Sequence, residues 1–228
     1  MSFSSIRSYS TLFFDLDDTL YPNDTGLWAA IRHRMGLYMV EKLNLPPEII
    51  PDLRRTYYMT YGTTLRGLQK HHQVDADDYL AYVHDLPLKE FILPNPELST
   101  MLTGLHQRCF IFTNADAEHA RRVMELLGVE ECFDGIIDVR AIEFACKPEP
   151  VAYQRALALG GDPEPSECIM LDDSLTNLAP AQRLGFTTVL VGKIAEEGLH
   201  SDYTIPSLLE LPQVLPGLWN GSFTKTTE

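Results

Sequence analysis

Basic residues are scarce in this chain. Across 228 residues, 18 lysines and arginines face 32 aspartates and glutamates, a formal net charge of −14. So acidic a chain repels nucleic acid polymers and anionic membranes, and neither is expected as a partner. Cysteine is scarce too. Cys109, Cys132, Cys146 and Cys168 are scattered and form no CxxC pair. That spacing suggests neither a disulfide framework nor a zinc site, and reduced, mostly buried thiols are expected. No run approaches the ~20 apolar residues of a membrane span. The opening MSFSSIRSYS lacks the long apolar stretch of a secretory signal. Internal repeats are absent as well. What remains is a soluble, cytoplasmic, globular chain, long enough for one good-sized domain or a core with a smaller insert. If its ligand is an anion, a bound cation is expected to offset the local negative charge.

Against these absences stand several short β-branched and aromatic runs that read as buried strands. They lie at residues 9–14 (YSTLFF), 108–113 (RCFIFT), 167–171 (ECIML) and 187–191 (TTVLV), with a shorter one at 135–139. Helical stripes alternate with them. Residues 118–127 carry Ala120, Val123, Met124 and Leu127 before Gly128; residues 148–159 and 178–184 also stop at glycines. Strands alternating with helices predict an α/β fold, a Rossmann-like parallel sheet with helices on both faces. Residues 23–93 break the alternation. They read as helices at about 26–43, 47–60, 63–72 and 76–85, a small all-helical cap inserted after the first strand. The core is then residues 1–22 and 94–228, and the tail from Pro216 is expected to be frayed.

Three of the strands run into polar residues, and in open α/β sheets ligands bind at the carboxyl ends of the strands. The first cluster is Asp15-Leu16-Asp17-Asp18-Thr19-Leu20. Grouped oxygens at a strand end suit a hard cation such as Mg²⁺. One carboxylate can attack while another moves a proton. A solvated acidic turn is the alternative. Thr113-Asn114 offers a hydroxyl and an amide to phosphate oxygens, or simply a turn. Lys147-Pro148 offers a compact cation, or simply a surface lysine before a helix. Asp172-Asp173-Ser174 offers metal carboxylates, or simply a helix cap.

Taken together and in this order, the four clusters resemble the signature motifs of the haloacid dehalogenase superfamily. The first cluster is similar to its DxDxT motif; Thr113, Lys147 and the Asp172-Asp173 pair resemble the other three. The resemblance implies a phosphatase in which Asp15 is the nucleophile and Asp17 the general acid, then base. It implies Mg²⁺ held by Asp15, the Asp17 carbonyl and Asp173, with Asp172 either a further ligand or behind one. Thr19 would orient the loop, while Thr113, Asn114 and Lys147 would hold the phosphoryl oxygens. Asp17 must carry a proton in the first half-reaction, and neighbouring carboxylates are expected to raise its pKa for that purpose. Asp17 also disfavours dehalogenation, because dehalogenases of the superfamily lack it.

The insert resembles the helical-cap branch, whose members usually act on small phosphate esters. FFDLDDTLYP, YGTTLRGL, IFTNA, KPEP and LDDSLTNL are similar to the pyrimidine 5′-nucleotidase-like subgroup. A nucleoside monophosphate such as UMP or CMP is the substrate that this finer resemblance implies. Tyr57, Tyr58, Tyr61 and Arg66 are candidate contacts for its base or sugar, against the alternative that the tyrosines pack the cap. Other outcomes stay open: a phosphoglycolate-type phosphatase, a sugar phosphomutase with Arg54-Arg55 on a second phosphate, or a binding module that kept the fold. The cap's exposed end is a candidate homodimer surface.

Overall fold

The computed structural model describes residues 8–192 and 198–219. Its centre is a six-stranded, all-parallel sheet in the order β3-β2-β1-β4-β5-β6. In chain order the strands are β1 (Thr11–Phe14), β2 (Arg108–Phe112), β3 (Gly135–Ile137), β4 (Cys168–Asp172), β5 (Thr187–Val191) and β6 (Tyr203–Ile205). All four residues of β1 are buried, as an inner parallel strand covered on both faces requires. Chain order reverses beside β1, whose neighbours are β2 and β4. A crevice opens at such a reversal, outside the strand ends, and this is the edge where the sequence clusters its polar residues.

The helices are α1 (Leu27–Glu41), α2 (Ile50–Tyr61), α3 (Thr64–His72), α4 (Ala76–His84), α5 (Pro96–Thr103), α6 (Ala117–Leu127), α7 (Pro150–Leu159), α8 (Leu175–Leu184) and α9 (Leu211–Val214). Their ends follow local chemistry. Asp116 accepts from the Glu118 and His119 amides to start α6, Thr63 from Arg66 to start α3, and Ser174 from Asn177 to start α8. Gly128 closes α6 at φ 74°, a left-handed conformation that costs glycine little.

One apolar cluster packs α5, α6 and α9 on one sheet face, and a second packs α7 and α8 on the other. A third joins α1 to α4 into a cap. Gly67 lets α3 approach α2 closely, since a Cβ there would lie 2.2 Å from the Tyr57 ring. The seam between cap and core runs through α1. Leu27 and Ile31 belong to the core cluster, Tyr38 and Met39 to the cap cluster. Val139, just beyond β3, completes the cap's own core.

β6, α5 and α9 are additional elements, too short or too mixed in pattern to stand out. One expectation is corrected. The tail is ordered through residue 219: Leu218 is buried and the Trp219 indole donates to the Met101 carbonyl at 3.1 Å. Residues 220–228 lie outside the described residues. No helix among the described residues is long and apolar enough to cross a membrane, and all four cysteines are free thiols.

Candidate active site

Asp15 follows β1 directly, and its amide donates to the Leu171 carbonyl of β4 at 2.8 Å. That bond extends the ladder by one residue and fixes the side chain at the sheet edge. Lys147, from the loop before α7, reaches in from the side and is 1% exposed. Its Nζ donates to Asp15 Oδ1 at 2.6 Å and to Asp172 Oδ2 at 2.7 Å. Thr19 Oγ1 donates to the other oxygen of Asp15 at 3.2 Å. Asp172, the last residue of β4, is fully buried and also accepts from the Ser174 amide and the Asn177 side chain. Both of its oxygens are therefore engaged by protein donors.

Asp173 differs. No hydrogen bond to it is found among the described residues, and it faces Asp15 and Asp172. Ligand atoms of these three aspartates lie within 4.8 Å of one another. Burial raises the Asp15 carboxyl to about 7, against the pull of Lys147 and with the help of Asp172. Burial, then Asp15 and Asp172, raise Asp173 to about 8. Burial also works against the charge on Lys147, but the two aspartates outweigh it and hold the ammonium firmly protonated. One lysine thus faces more carboxylate than it can neutralise, and a divalent cation fits the excess. Asp15 and Asp173 would hold it with the Asp17 carbonyl. Asp172, already saturated, would stand behind them and orient Lys147.

Thr113 follows β2, buried, with its hydroxyl accepting from the Ala115 amide at 3.0 Å. Asn114 has a different task from the one its sequence suggests. Its amide donates to the Lys147 carbonyl at 3.0 Å and its Oδ1 accepts from the Lys147 amide at 2.8 Å, clamping the lysine's main chain. Arg66 is placed away from the reacting groups. It pairs with Glu149 and donates to the Tyr61 carbonyl, tying cap to core, and it does not line the cavity. An arginine already neutralised by a carboxylate has little left for a phosphate, so Arg66 in this position ties cap to core instead of meeting the ester.

Asp17 also departs from expectation. Tyr21 donates to its Oδ1 at 2.6 Å, and His119 Nε2 lies 2.9 Å from the same atom. Burial alone would raise its pKa, but His119 and Tyr21 together hold it lowered. The raising effect expected from neighbouring carboxylates does not prevail. Behind His119 the His84 ring stacks at 4.2 Å, and His84 Nδ1 lies 2.6 Å from Asp116 Oδ2. Burial keeps His84 below its usual pKa despite Asp116. Sequence reading missed both histidines. The available signal was His119 at the position four before Val123, on the apolar stripe of a helix that follows the Thr113-Asn114 cluster.

These groups floor a cavity of about 520 Å³ roofed by the cap. Trp28, Met35, Leu80 and Val83 line its apolar part, and Arg32, Arg54, Arg55 and Tyr58 its polar part. Of the three tyrosines named for base stacking, only Tyr58 reaches it. Tyr57 is buried against Gly67, with its hydroxyl 2.9 Å from His72; the Tyr61 hydroxyl lies 2.7 Å from His71.

A family model described as haloacid dehalogenase-like hydrolase matches residues 9–185. Among curated proteins, Phosphate metabolism protein 8 of Saccharomyces cerevisiae is 29% identical over 192 residues. The match takes in 78% of this chain and 60% of that protein, so the chain spans less than two thirds of the relative's length. Among solved structures, a HAD phosphatase from Thermococcus onnurineus superposes with TM-score 0.61 at 21% identity, covering 91% of this chain and 98% of that one. The HAD-hydrolase YfnB of Bacillus subtilis, bound to magnesium, gives 0.60 at 20%, with 92% and 99% covered. The L-2-haloacid dehalogenase of Xanthobacter autotrophicus gives 0.60 at 16%, with the same coverage. At such identities these structural likenesses speak for the fold alone.

Proposed function

The chain belongs to the haloacid dehalogenase-like hydrolases, and from that premise we propose that it is a magnesium-dependent phosphomonoesterase acting on a small phosphorylated metabolite. One observation carries the reading: a buried carboxylate, Asp15, is held between Lys147 and Thr19 beside an Asp173 that has no hydrogen-bond donor among the described residues.

A carboxylate attacking a phosphate dianion meets like-charge repulsion. Lys147 offsets part of it, with the full strength of a charge in a dry site. Mg²⁺, when bound, supplies the remaining neutralisation of the phosphoryl oxygens. Asp15 forms a bond to phosphorus as the bond from phosphorus to the ester oxygen breaks, and Asp17 gives the departing oxygen its proton. In the second half-reaction Asp17 takes a proton from water, whose oxygen attacks phosphorus and frees Asp15. The low pKa of Asp17 suits the ionised form that accepts this proton. Arrival of the substrate dianion beside it favours the protonated form needed first. Tyr21 and His119 fix one oxygen of Asp17, so the other is left to face the ester. Thr113 and Lys147 are the phosphate holders in this scheme, with Asn114 setting the lysine's position.

The finer assignment to pyrimidine nucleoside monophosphates has thinner support, because base stacking would fall to Tyr58 and Trp28. A cytoplasmic setting agrees with the free thiols. Phosphate release from UMP, CMP, AMP, phosphoglycolate and sugar phosphates, with Mg²⁺ and with chelator, tests the proposal. Magnesium-dependent release by the native chain that disappears in Asp15→Asn is expected. Undiminished release by Asp15→Asn, or release indifferent to chelator, would overturn it.

A further inference from the structure

The cavity has two chemically opposite ends. Its floor is made of carboxylates and one lysine. The cap wall carries three arginines, Arg32, Arg54 and Arg55. This is unexpected in a chain of net charge −14, where Arg34, Arg66, Arg140 and Arg155 each pair with a carboxylate. Among the described residues no carboxylate forms an ion pair with Arg32, Arg54 or Arg55. Among the described residues the buried Nε of Arg54 finds no hydrogen-bond partner, nor does the hydroxyl of Tyr79, a cavity-lining side chain only 1% exposed. Such orphans are costly, because a buried polar group that loses its water and gains no partner keeps an uncompensated desolvation penalty. They therefore mark where a ligand atom belongs.

Asp18 Oδ1 and His119 Nδ1, toward the floor, are orphaned as well among the described residues; the two orphans of the cap wall, by contrast, are both donors. Guanidinium nitrogens only donate, and a tyrosine hydroxyl donates readily to an anion. A neutral base or sugar would satisfy some donors and leave the clustered positive charge uncompensated. Burial and the charge of Arg32 both act to weaken protonation of Arg54, with Tyr79 opposing. An anion placed between the arginines relieves that repulsion. Arg32, Arg54 and Arg55 line the same cavity of about 520 Å³ as Asp15 and Asp18, so both ends lie within one small molecule's span.

We propose that the cap wall is an anion subsite, in which Arg54, Arg32, Arg55 and the Tyr79 hydroxyl hold a second phosphate or carboxylate on the leaving group. This rests on the phosphomonoesterase reading and narrows it: the substrate carries two anionic groups, one cleaved at Asp15 and one read by the cap.

Two matched pairs test it on the full chain with Mg²⁺: 3-phosphoglycerate against glycerol 3-phosphate, and glucose 1,6-bisphosphate against glucose 6-phosphate. The first pair offers a carboxylate as the second anion, the second a phosphate. In at least one pair, kcat/KM for the doubly anionic ester should be higher by about tenfold to a hundredfold, mostly through KM. Arg54→Gln and the gentler Tyr79→Phe should each pull that ratio toward one. Equal rates within both pairs would overturn the proposal, as would variants that slow every ester alike. If no ester, p-nitrophenyl phosphate included, is hydrolysed, the phosphomonoesterase reading itself has failed. The subsite is then judged by calorimetry on Asp15→Asn. Glucose 1,6-bisphosphate binding at least tenfold tighter than glucose 6-phosphate, with the advantage lost on adding Arg54→Gln, would uphold it. Equal binding would reject it.

Discussion

The two ends of one cavity handle charge in opposite ways. At the sheet edge most of the charged groups are locked: Asp172 accepts from three groups, Lys147 bridges two aspartates, and Asp17 is gripped by Tyr21 and His119. At the cap wall Arg32, Arg54 and Arg55 are carried by helices, and no carboxylate among the described residues forms an ion pair with them. The first arrangement fixes geometry before substrate arrives, as bond-making chemistry demands. The second leaves affinity in reserve for the ligand. On the proposed reading, chemistry is carried on strand ends with little freedom, and selectivity on surfaces of α1 and α2, where a substitution disturbs no ladder.

Substitutions at the two ends should therefore fail differently. The greatest loss is expected at the floor. Asp15→Asn keeps shape and removes the attacking charge, and kcat for any ester should fall by about 10⁴-fold or more, as measured by phosphate release. Lys147→Met comes next. It strands Asp15 and Asp172 in a buried site without their cation, and should cost about 3 kcal/mol of stability in chemical denaturation besides abolishing turnover. Unchanged stability would show that the floor is less tightly locked than its hydrogen bonds imply.

The metal-free floor has its own pH signature. Asp15 and Asp173 are raised to about 7 and about 8, from an ordinary value of 3.8. Between about pH 4 and 8 the folded chain then holds protons that the unfolded chain has released. Stability in chelator should fall as pH rises through that window and level off above it. Asp17, held lowered, contributes only below the window. Mg²⁺ must displace the same protons, so the rise in Tm that it causes should grow from pH 5 to 8.5. A Tm gain independent of pH would contradict the assignment of Asp15 and Asp173 to the metal. Smaller again is His119→Gln, which keeps a donor near Asp17 but loses the ring stacked on His84; kcat should drop by about 10-fold to 100-fold with KM little changed. The smallest effect belongs to Arg66→Gln. Its pair with Glu149 is partly exposed, so stability should change by less than about 1 kcal/mol, and any preference among esters should survive.

Much of this was legible in the residue order. The run TTVLV at 187–191 is β5 to the residue, and the clusters at 15–20, 113–114, 147 and 172–173 do meet at one sheet edge. Strand ends announce themselves because an apolar run stops abruptly at a polar side chain. Partnerships across the fold do not. His119 and Asp17 are 102 residues apart, and nothing local says that a histidine on an apolar stripe faces a carboxylate. The same blindness misassigned Arg66, whose neutralising partner Glu149 belongs to another segment, and overlooked Arg32, one turn from Trp28 on α1.

Helix α1 has a consequence for how such a protein can be altered. Its 15 residues span about 22 Å at 1.5 Å per residue. The first half is cemented into the sheet domain and the second into the lid. The lid is accordingly no cassette to be exchanged at the loops where the chain enters and leaves it. A chimera spliced near residue 23 would import half a foreign helix into the sheet's apolar face. One spliced near Gly36 would keep each half with its own packing partners. Recombination, whether in the laboratory or in evolution, should succeed in the middle of this helix sooner than at its ends.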